Sequence, residues 1–441
     1  MKRDIEFELM KWKQKSDRYP LLVRGARQVG KSYLVENFAR SNFDNYLTIN
    51  FELQTQAKKC FDSLDPKNVI NNLQLLFGVK VEEDKTLLFF DEIQECPAAI
   101  MSLRYFREKM PQLAIIGAGS LLEFALKTEN FKMPVGRIQF LYLEPLSFAE
   151  YLEASGNSQL REYLMKIKIE EDSQAAVHDR LWSLLRLYLV LGGMPAVVKE
   201  YLAGQNIVSC SEIQSSILLT YRSDFGKYAG IAQYEHLQKV FDAAPRLVGQ
   251  RVKYVNIDSE IRSRDLKKAL ELLVLAGIIK PIYLSRASGM PLGSQINEKK
   301  MKINFLDVGL MQKACGLESK IALEKDLLQI NSGSVAEQFV GQEIRAYSDK
   351  YQPSDLFFWA KEEKGSTAEV DYVISVDGEI YPVEVKAGKA GSLKSLRAFM
   401  SQKKAKIGIR VSMEKLSFFD GILSVPLYML EQIPRLVRSV L

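Results

Sequence analysis

The chain has 441 residues, 47% hydrophobic and 26% charged, the balance of a globular protein that is too long for one core and suggests about three units. Its net charge of +6 permits a polyanionic partner without requiring one. Cys60, Cys96, Cys210 and Cys315 are scattered singly, which argues against a zinc cluster or a disulfide framework, and with His178 and His236 as the sole histidines, His-dependent chemistry is disfavoured.

The N-terminal MKRDIEFELMKWKQK is charged and amphipathic rather than a signal peptide. No run of about 18 apolar residues follows anywhere, so the expectation is a cytoplasmic protein with no membrane partner.

PLLVRGARQVGKSYLVENFA predicts a buried strand over Leu21–Val23, a glycine-containing loop and a helix. Gly25, Gly30, Lys31 and Ser32 match G-x-x-x-x-G-K-S in the strand-to-helix setting that a phosphate loop needs. Backbone N–H groups over Gly25, Ala26, Arg27, Gln28, Val29, Gly30, Lys31, Ser32 and Tyr33 are the expected cradle for ATP. Lys31 would reach the β/γ oxygens and Ser32 would ligate Mg²⁺. TLLFFDEIQ carries four apolar residues, Leu87 to Phe90, that suit a central parallel strand. Asp91 then holds the hydrated metal and Glu92 polarises an attacking water, although an acid pair at a strand end also suits a solvated turn. LAIIGAGSLLEF ends a further strand near Ser120, readable as a γ-phosphate sensor or as a glycine-rich turn. Arg137, at the start of the strand-like VGRIQFLYLEP, either supplies positive charge to a transition state or forms a surface salt bridge.

From about residue 150 to 250 the pattern is helical, and Gly192, Gly193 and Pro195 end the helix in RLWSLLRLYLVLGGMP. Between roughly 235 and 310 two helices precede strand-like runs around Ile282 and Ile303, the order of a winged helix. Arg262, Arg264, Lys267 and Lys268 at the second helix are either DNA-backbone contacts or solvated charge.

EVDYVISVDGEIYPVEVKAG predicts a hairpin turning at Asp377-Gly378. That register places Asp371 opposite Glu384 with β-carbons roughly 4.5–5.5 Å apart, where like charges repel. Tyr372, Ile374, Tyr381, Val383 and Val385 then share an apolar face, while Asp371, Glu384 and Lys386 lie on the other with Glu369 opposite Lys386. Paired carboxylates need a cation or a raised pKa, and Mg²⁺ or Mn²⁺ answers that need. Lys386 could orient or deprotonate a water. The rival reading is a surface hairpin with Lys386 bridging two glutamates. From Lys386 to Ser412 there are eight Lys or Arg and no acid, among them Lys389, Lys394, Arg397, Lys403 and Lys404, which suits phosphate contacts or an ordinary solvated helix.

RGARQVGKSYL, FFDEIQ, VGRIQ..YLEPLSFAEYL and LGGMP together resemble bacterial and archaeal AAA+-related ATPases with a C-terminal PD-(D/E)XK nuclease-type domain, in register over nearly the whole chain. IIGAGS departs from the Gly-Ser-Ser that relatives carry at the sensor strand. The resemblance implies an α/β fold: a P-loop NTPase sheet ordered 5-1-4-3-2, a helical extension, a winged-helix module and a restriction-endonuclease-like domain. The corresponding segments are 1–155, 156–235, 236–325 and 326–441. It also implies metal ligation by Asp371 and Glu384, catalysis by Lys386 and a further acid from SVAEQFVGQEI. Glu337 is the matched position, although Ser334-x-x-Glu337 also reads as a capping box, and Glu343 is the alternative acid within the helix's apolar arc.

The function expected is an ATP-hydrolysing AAA+-like protein coupled to a metal-dependent nuclease-like domain on nucleic acid, DNA being favoured, with either a single chain or a homo-oligomer as the working unit. One alternative is an ATP-switched DNA- or protein-binding regulator with a non-catalytic nuclease fold. Another is an NTPase with a scaffold role and no nucleic acid.

Overall fold

The computed structural model describes residues 1–120, 122, 124, 136–169, 175–227, 230–316, 332–362, 368–386 and 392–441. The chain divides into two compact units. The first holds residues 1–144 with 275–277 and 349–353, and the second holds 145–274, 278–348 and 354–441.

In the first unit five strands form a parallel sheet: β1 (Leu21–Arg24), β2 (Asn45–Asn50), β3 (Thr86–Asp91), β4 (Ala114–Ala118) and β5 (Gln139–Tyr142). Their order, β2-β3-β4-β1-β5, is the expected 5-1-4-3-2 read from the opposite edge. All six residues of β3 are buried, so the apolar run that suggested a central strand is covered on both faces. Phe51, Phe61 and Phe90 pack with ring centroids 5.5–5.8 Å apart in the core on one side of the sheet. Pro66 and Pro97 open two flanking helices, Pro66–Phe77 and Pro97–Lys109, at the position where a missing N–H costs nothing.

The second unit is built on an eight-stranded sheet. Its strands are β6 (Ile279–Ser285), β7 (Ile296–Phe305), β8 (Leu356–Ala360), β9 (Glu369–Val376), β10 (Glu379–Val385), β11 (Gly408–Ser412), β12 (Ser417–Phe419) and β13 (Ile422–Pro426). Their order is β12-β13-β11-β10-β9-β8-β6-β7. The helices Ile231–Leu247 and Ser263–Leu275 precede the antiparallel β6–β7 pair, the order expected of 236–325, and β6 also pairs in parallel with β8, so the hairpin continues into the larger sheet. The cause is burial: Ile279, Ile282 and Leu284 are enclosed, and such a strand must cover its free edge rather than stand as a solvated wing. The helix Phe148–Ala154 likewise belongs to the second unit.

The β9–β10 hairpin turns at Asp377 and Gly378, with φ of 51° and 84°, both in the left-handed region that a two-residue turn of this hand requires. Its register runs from Val376 opposite Glu379 to Tyr372 opposite Val383, as the Asp-Gly signal predicts. Both faces bury apolar side chains, however. Val373 packs with Val370, Trp359, Leu396 and Phe399 beneath the Lys394–Lys403 helix, so the polar face expected for the hairpin is confined to its far end.

The helix Ser332–Tyr347 lies against the other side of this sheet, and Gly341 permits the approach, since a Cβ there would sit 2.0 Å from the Asn304 amide nitrogen. Gln338 exchanges two 2.8 Å hydrogen bonds with the backbone of Phe305, satisfying groups of β7. Asp307 accepts from the Gly193 N–H at 2.6 Å and from Leu310 at 3.0 Å, which gives the Gly-Gly of LGGMP a structural role.

Candidate functional sites

The phosphate loop follows β1 and leads into the helix Lys31–Asn42. Gly30, Gln28 and Gly25 have φ of 93°, 65° and 151°, positive backbone states of the kind a tight anion-binding loop uses. Gly25 has a second reason: a Cβ there would meet the Leu143 carbonyl oxygen at 2.3 Å. Lys31 is buried, and its ammonium donates to the carbonyls of Gly25 at 2.9 Å and Ala26 at 2.8 Å. Burial pulls its pKa down to about 8 against the pull of Glu92 and Asp91. A buried ammonium resting on carbonyls suits an incoming anion, and the loop's residues therefore fit a nucleotide phosphate. Ser32 Oγ lies 3.0 Å from both carboxylate oxygens of Asp91, the donor pair expected to serve Mg²⁺.

Asp91 ends β3, and burial raises its pKa. Asn50, paired in register with Asp91 across β2 and β3, donates to it at 3.2 Å. The sequence reading missed Asn50, although a polar residue ending the strand beside β3 was a usable signal. Glu92 adopts φ 46°, ψ 46°, a left-handed state costly for a glutamate and one that tends to be kept at functional sites. Its Oε2 accepts from Gln94 at 2.7 Å and faces the N–H and Oγ of Ser120 at 3.4 and 3.3 Å. Gly119 leaves room for this turn, because a Cβ there would meet Gln94 Oε1 at 1.9 Å. Arg137 pairs with Glu108 at 3.1 Å on an exposed surface, in agreement with the salt-bridge reading of that residue.

In the second unit, Glu337, Asp371, Glu384 and Lys386 fall in one neighbourhood. Asp371 Oδ2 accepts the Val385 N–H at 2.8 Å, and Lys386 Nζ lies 2.6 Å from Glu384. A bulge contributes: Phe357 opposes Val373 while Trp359 opposes Val370, leaving an extra residue on β9. Asp371 and Tyr372 consequently reach the same surroundings, Asp371 towards Lys302 and Tyr372 through hydrogen bonds to the Glu337 carbonyl at 2.7 Å and to Asn304 at 3.3 Å. The opposite-face placement of these two residues expected from strict alternation is corrected by that bulge.

Glu337 is not used in a capping box, because the helix begins at Ser332 and Ser334 lies inside it. Burial, and then Asp371, raise the pKa of Glu337, and the same two causes in the same order raise that of Glu384. Glu343, the alternative acid, is engaged elsewhere. It accepts the Phe148 N–H at 3.1 Å and the Tyr347 hydroxyl at 2.5 Å, and burial lifts its pKa to about 8.

The sequence reading did not single out Lys302. This lysine on β7 is 2% exposed and lies 2.6 Å from Glu369, 3.5 Å from Glu337 and 3.8 Å from Asp371. Burial alone would lower its pKa, but the three carboxylates outweigh that and raise it. Arg251 adds a second cation at 2.7 Å from Glu369. Among the described residues no three acidic, His or Cys side chains stand close enough together to cage a metal as they are placed. The donor set nevertheless suits a hard divalent cation: it is made of carboxylates, and Glu384 Oε2 is buried without a hydrogen-bond partner.

The basic residues expected to touch nucleic acid are partly spent on neighbours. Arg397 pairs with Asp420 at 2.7 Å, Lys267 with Glu271 at 3.7 Å, and Lys403 donates to Ser288 at 2.8 Å. Lys389 lies outside the described residues. Among the described residues no helix is long and apolar enough to cross a membrane.

Residues 17–152 match the AAA domain family AAA_14. With the phosphate loop and the five-stranded parallel sheet, this defines the class: the chain carries an AAA+-like P-loop ATPase domain, a nucleotide-binding enzyme unit. Residues 183–321 and 332–430 match two domains of unknown function, DUF8612 and DUF4143. The chain is 24% identical over 459 aligned positions to the uncharacterized protein MJ1637 of Methanocaldococcus jannaschii, covering 96% of this chain and 88% of that one. Among solved structures it is similar to the Walker-type ATPase PabY2304 of Pyrococcus abyssi, with 17% identity, 71% of this chain and 95% of that one covered and a TM-score of 0.46. It is also similar to the Aeropyrum pernix ORC2 protein, with 9% identity, 72% and 92% covered and a TM-score of 0.34.

Proposed function

We propose that this AAA+-like ATPase uses its nucleotide state to govern a second site directed at the phosphodiester backbone of nucleic acid, DNA in the first instance. The supporting observation is the convergence of Glu337, Asp371, Glu384 and Lys386 from a helix and two strands. At the first site the loop amides and Lys31 bind and orient the phosphates, and Ser32 and Asp91 are the residues to hold Mg²⁺. Glu92 holds the attacking water, steadied by Gln94 and within reach of Ser120. At the second site Glu337, Asp371 and Glu384 are the residues to hold Mg²⁺ or Mn²⁺. Such an ion supplies Lewis acidity and a water of lowered pKa. Lys386, ion-paired to Glu384, is positioned to orient a water or to stabilise charge on phosphorus. Coupling between the sites draws on connectivity: segments 275–277 and 349–353 belong to the first unit and lead directly towards β6 and β8 of the second.

The test is incubation with labelled single- and double-stranded DNA and RNA, with and without ATP and Mn²⁺, for wild type, Glu384→Ala and Lys31→Ala. Metal-dependent cleavage lost in Glu384→Ala is the expected result, with a rate that changes when ATP is withheld. No cleavage of any substrate, or cleavage unaltered in Glu384→Ala, defeats the proposal.

A second reading draws on Lys302. A terminal domain whose acids are already neutralised internally suits an ATP-switched regulator that grips DNA or a protein partner without cutting. On that reading Asp371→Ala and Lys386→Ala leave activity in cells untouched while Lys31→Ala abolishes it.

A further inference from the structure

Four carboxylates, Glu337, Glu369, Asp371 and Glu384, share the neighbourhood of the hairpin's far end. Like charges gathered this closely repel one another and favour a cation among them. Lys302 is that cation in the structure. Its side chain is 2% exposed against 25% for Lys386, and the Phe358 ring, with its centroid 5.4 Å from Nζ, flanks it. Its three ion pairs are unequal: Glu369 is close at 2.6 Å, and Glu337 and Asp371 are looser at 3.5 and 3.8 Å. Glu369 is also held by Arg251, so it offers the ammonium an anchor at the edge of the cluster. Glu384 Oε2 is buried with no hydrogen-bond partner, so it is an independent acceptor that Lys302 leaves unsatisfied and that a hard cation would suit.

An ion coordinated by Glu337 and Asp371 would sit about 2.1 Å from their oxygens. Lys302 Nζ already lies 3.5 and 3.8 Å from those carboxylates, so the two cations would compete for the same charge and repel each other.

We propose that Lys302 is a built-in counter-ion of the metal-free cluster, displaced from Glu337 and Asp371 towards Glu369 when a divalent cation binds, so that this lysine sets the metal affinity of the site and keeps it latent when metal is scarce. The proposal rests on the reading of Glu337, Asp371 and Glu384 as metal ligands. Its chemistry is competition between cations, with no bond made or broken. Lys302→Met removes the competitor. Glu369→Gln removes the anchor and leaves the ammonium to Glu337 and Asp371, so the two substitutions move affinity in opposite directions.

The experiment is calorimetric titration of Mn²⁺ into the full chain as wild type, Lys302→Met, Glu369→Gln and Glu384→Ala, with melting temperatures recorded with and without Mn²⁺. Removing a competing unit charge a few ångströms away should tighten Mn²⁺ binding roughly tenfold or more in Lys302→Met. Mn²⁺ should also raise the melting temperature of this variant by more than it raises that of wild type. Glu369→Gln is expected to bind more weakly than wild type. If Lys302→Met does not fold, Glu369→Gln decides, and equal or tighter binding there overturns the proposal. Wild-type binding that Glu384→Ala abolishes, with no gain in Lys302→Met, overturns the counter-ion role and leaves the metal-site reading standing. Failure of both wild type and Lys302→Met to bind Mn²⁺ overturns both.

Discussion

The phosphate loop and the carboxylate–lysine cluster solve the same problem, charge held out of water, by opposite constructions. In the loop, residues 25–32 are contiguous, and the lysine that will meet an anion waits on the carbonyls of Gly25 and Ala26, neutral dipoles that a phosphate can replace. In the cluster the charges come from β7, β9, β10 and the Ser332–Tyr347 helix, and full charges oppose full charges: Lys302 against three acids and Lys386 against Glu384. A site poised on weak partners is ready to bind. One closed by internal ion pairs must first give some of them up, which suits a function that has to stay off until it is called.

The largest expected effect breaks the first half of that contrast. Lys31→Ala removes the ammonium from a pre-set cradle, and phosphate release from ATP should fall by roughly a hundredfold or more, as when an electrostatic donor to a transition state is lost. Mn²⁺ titration of the terminal cluster should be unchanged in the same variant. ATPase activity that persists would mean that the loop is only a turn before a helix.

A smaller effect sharpens the second half, because the second unit also buries an acid that holds no cation. Glu343 binds the Phe148 N–H and Tyr347, while Glu150 and Glu431 add like charge. Its pKa is lifted from 4.5 to about 8, so the folded chain holds a proton there that the unfolded chain has released. Stability from this group is therefore complete below about pH 4.5 and declines as pH rises towards 8. Glu343→Gln should match wild type near pH 5 and become more stable by a few kcal/mol at most in mildly alkaline buffer, read as a flatter profile of melting temperature against pH. A variant that parallels wild type at every pH would show that Glu343 is ionised and paired.

The same contrast governs what could be read from sequence. The loop, the strand order and the hairpin register are set by local rules: glycine spacing, an unbroken apolar run, and Asp-Gly at a turn. Lys302 carried no such mark. In INEKKMKINF it is one of three lysines within a strand, and only the docking of the Ser332–Tyr347 helix and the path of β9 choose it. The bulge at Asp371–Tyr372 has no glycine to announce it. β6 and β7 showed their hairpin but not their third neighbour, since pairing with β8 depends on residues more than seventy positions away. Asn50 fell between these cases, because a parallel register with β3 would have found it once the sheet order was known.

The smallest expected effect asks whether the first site is complete within one chain. Arg137, 47% exposed in its side chain, is held by Glu108, which also bonds Arg104, so the guanidinium is spent locally. On that geometry Arg137→Ala should change the ATPase rate per chain by less than twofold, about the uncertainty of such an assay and well under the effect of one lost charge-assisted donor. Measuring the rate over a range of protein concentrations makes the outcome decisive. A loss at every concentration would mean that Arg137 leaves Glu108 to serve its own nucleotide. A loss that emerges only as concentration rises would mean that it serves the nucleotide of a second copy, and the loop would then join the cluster as a site that sequence-local chemistry does not complete.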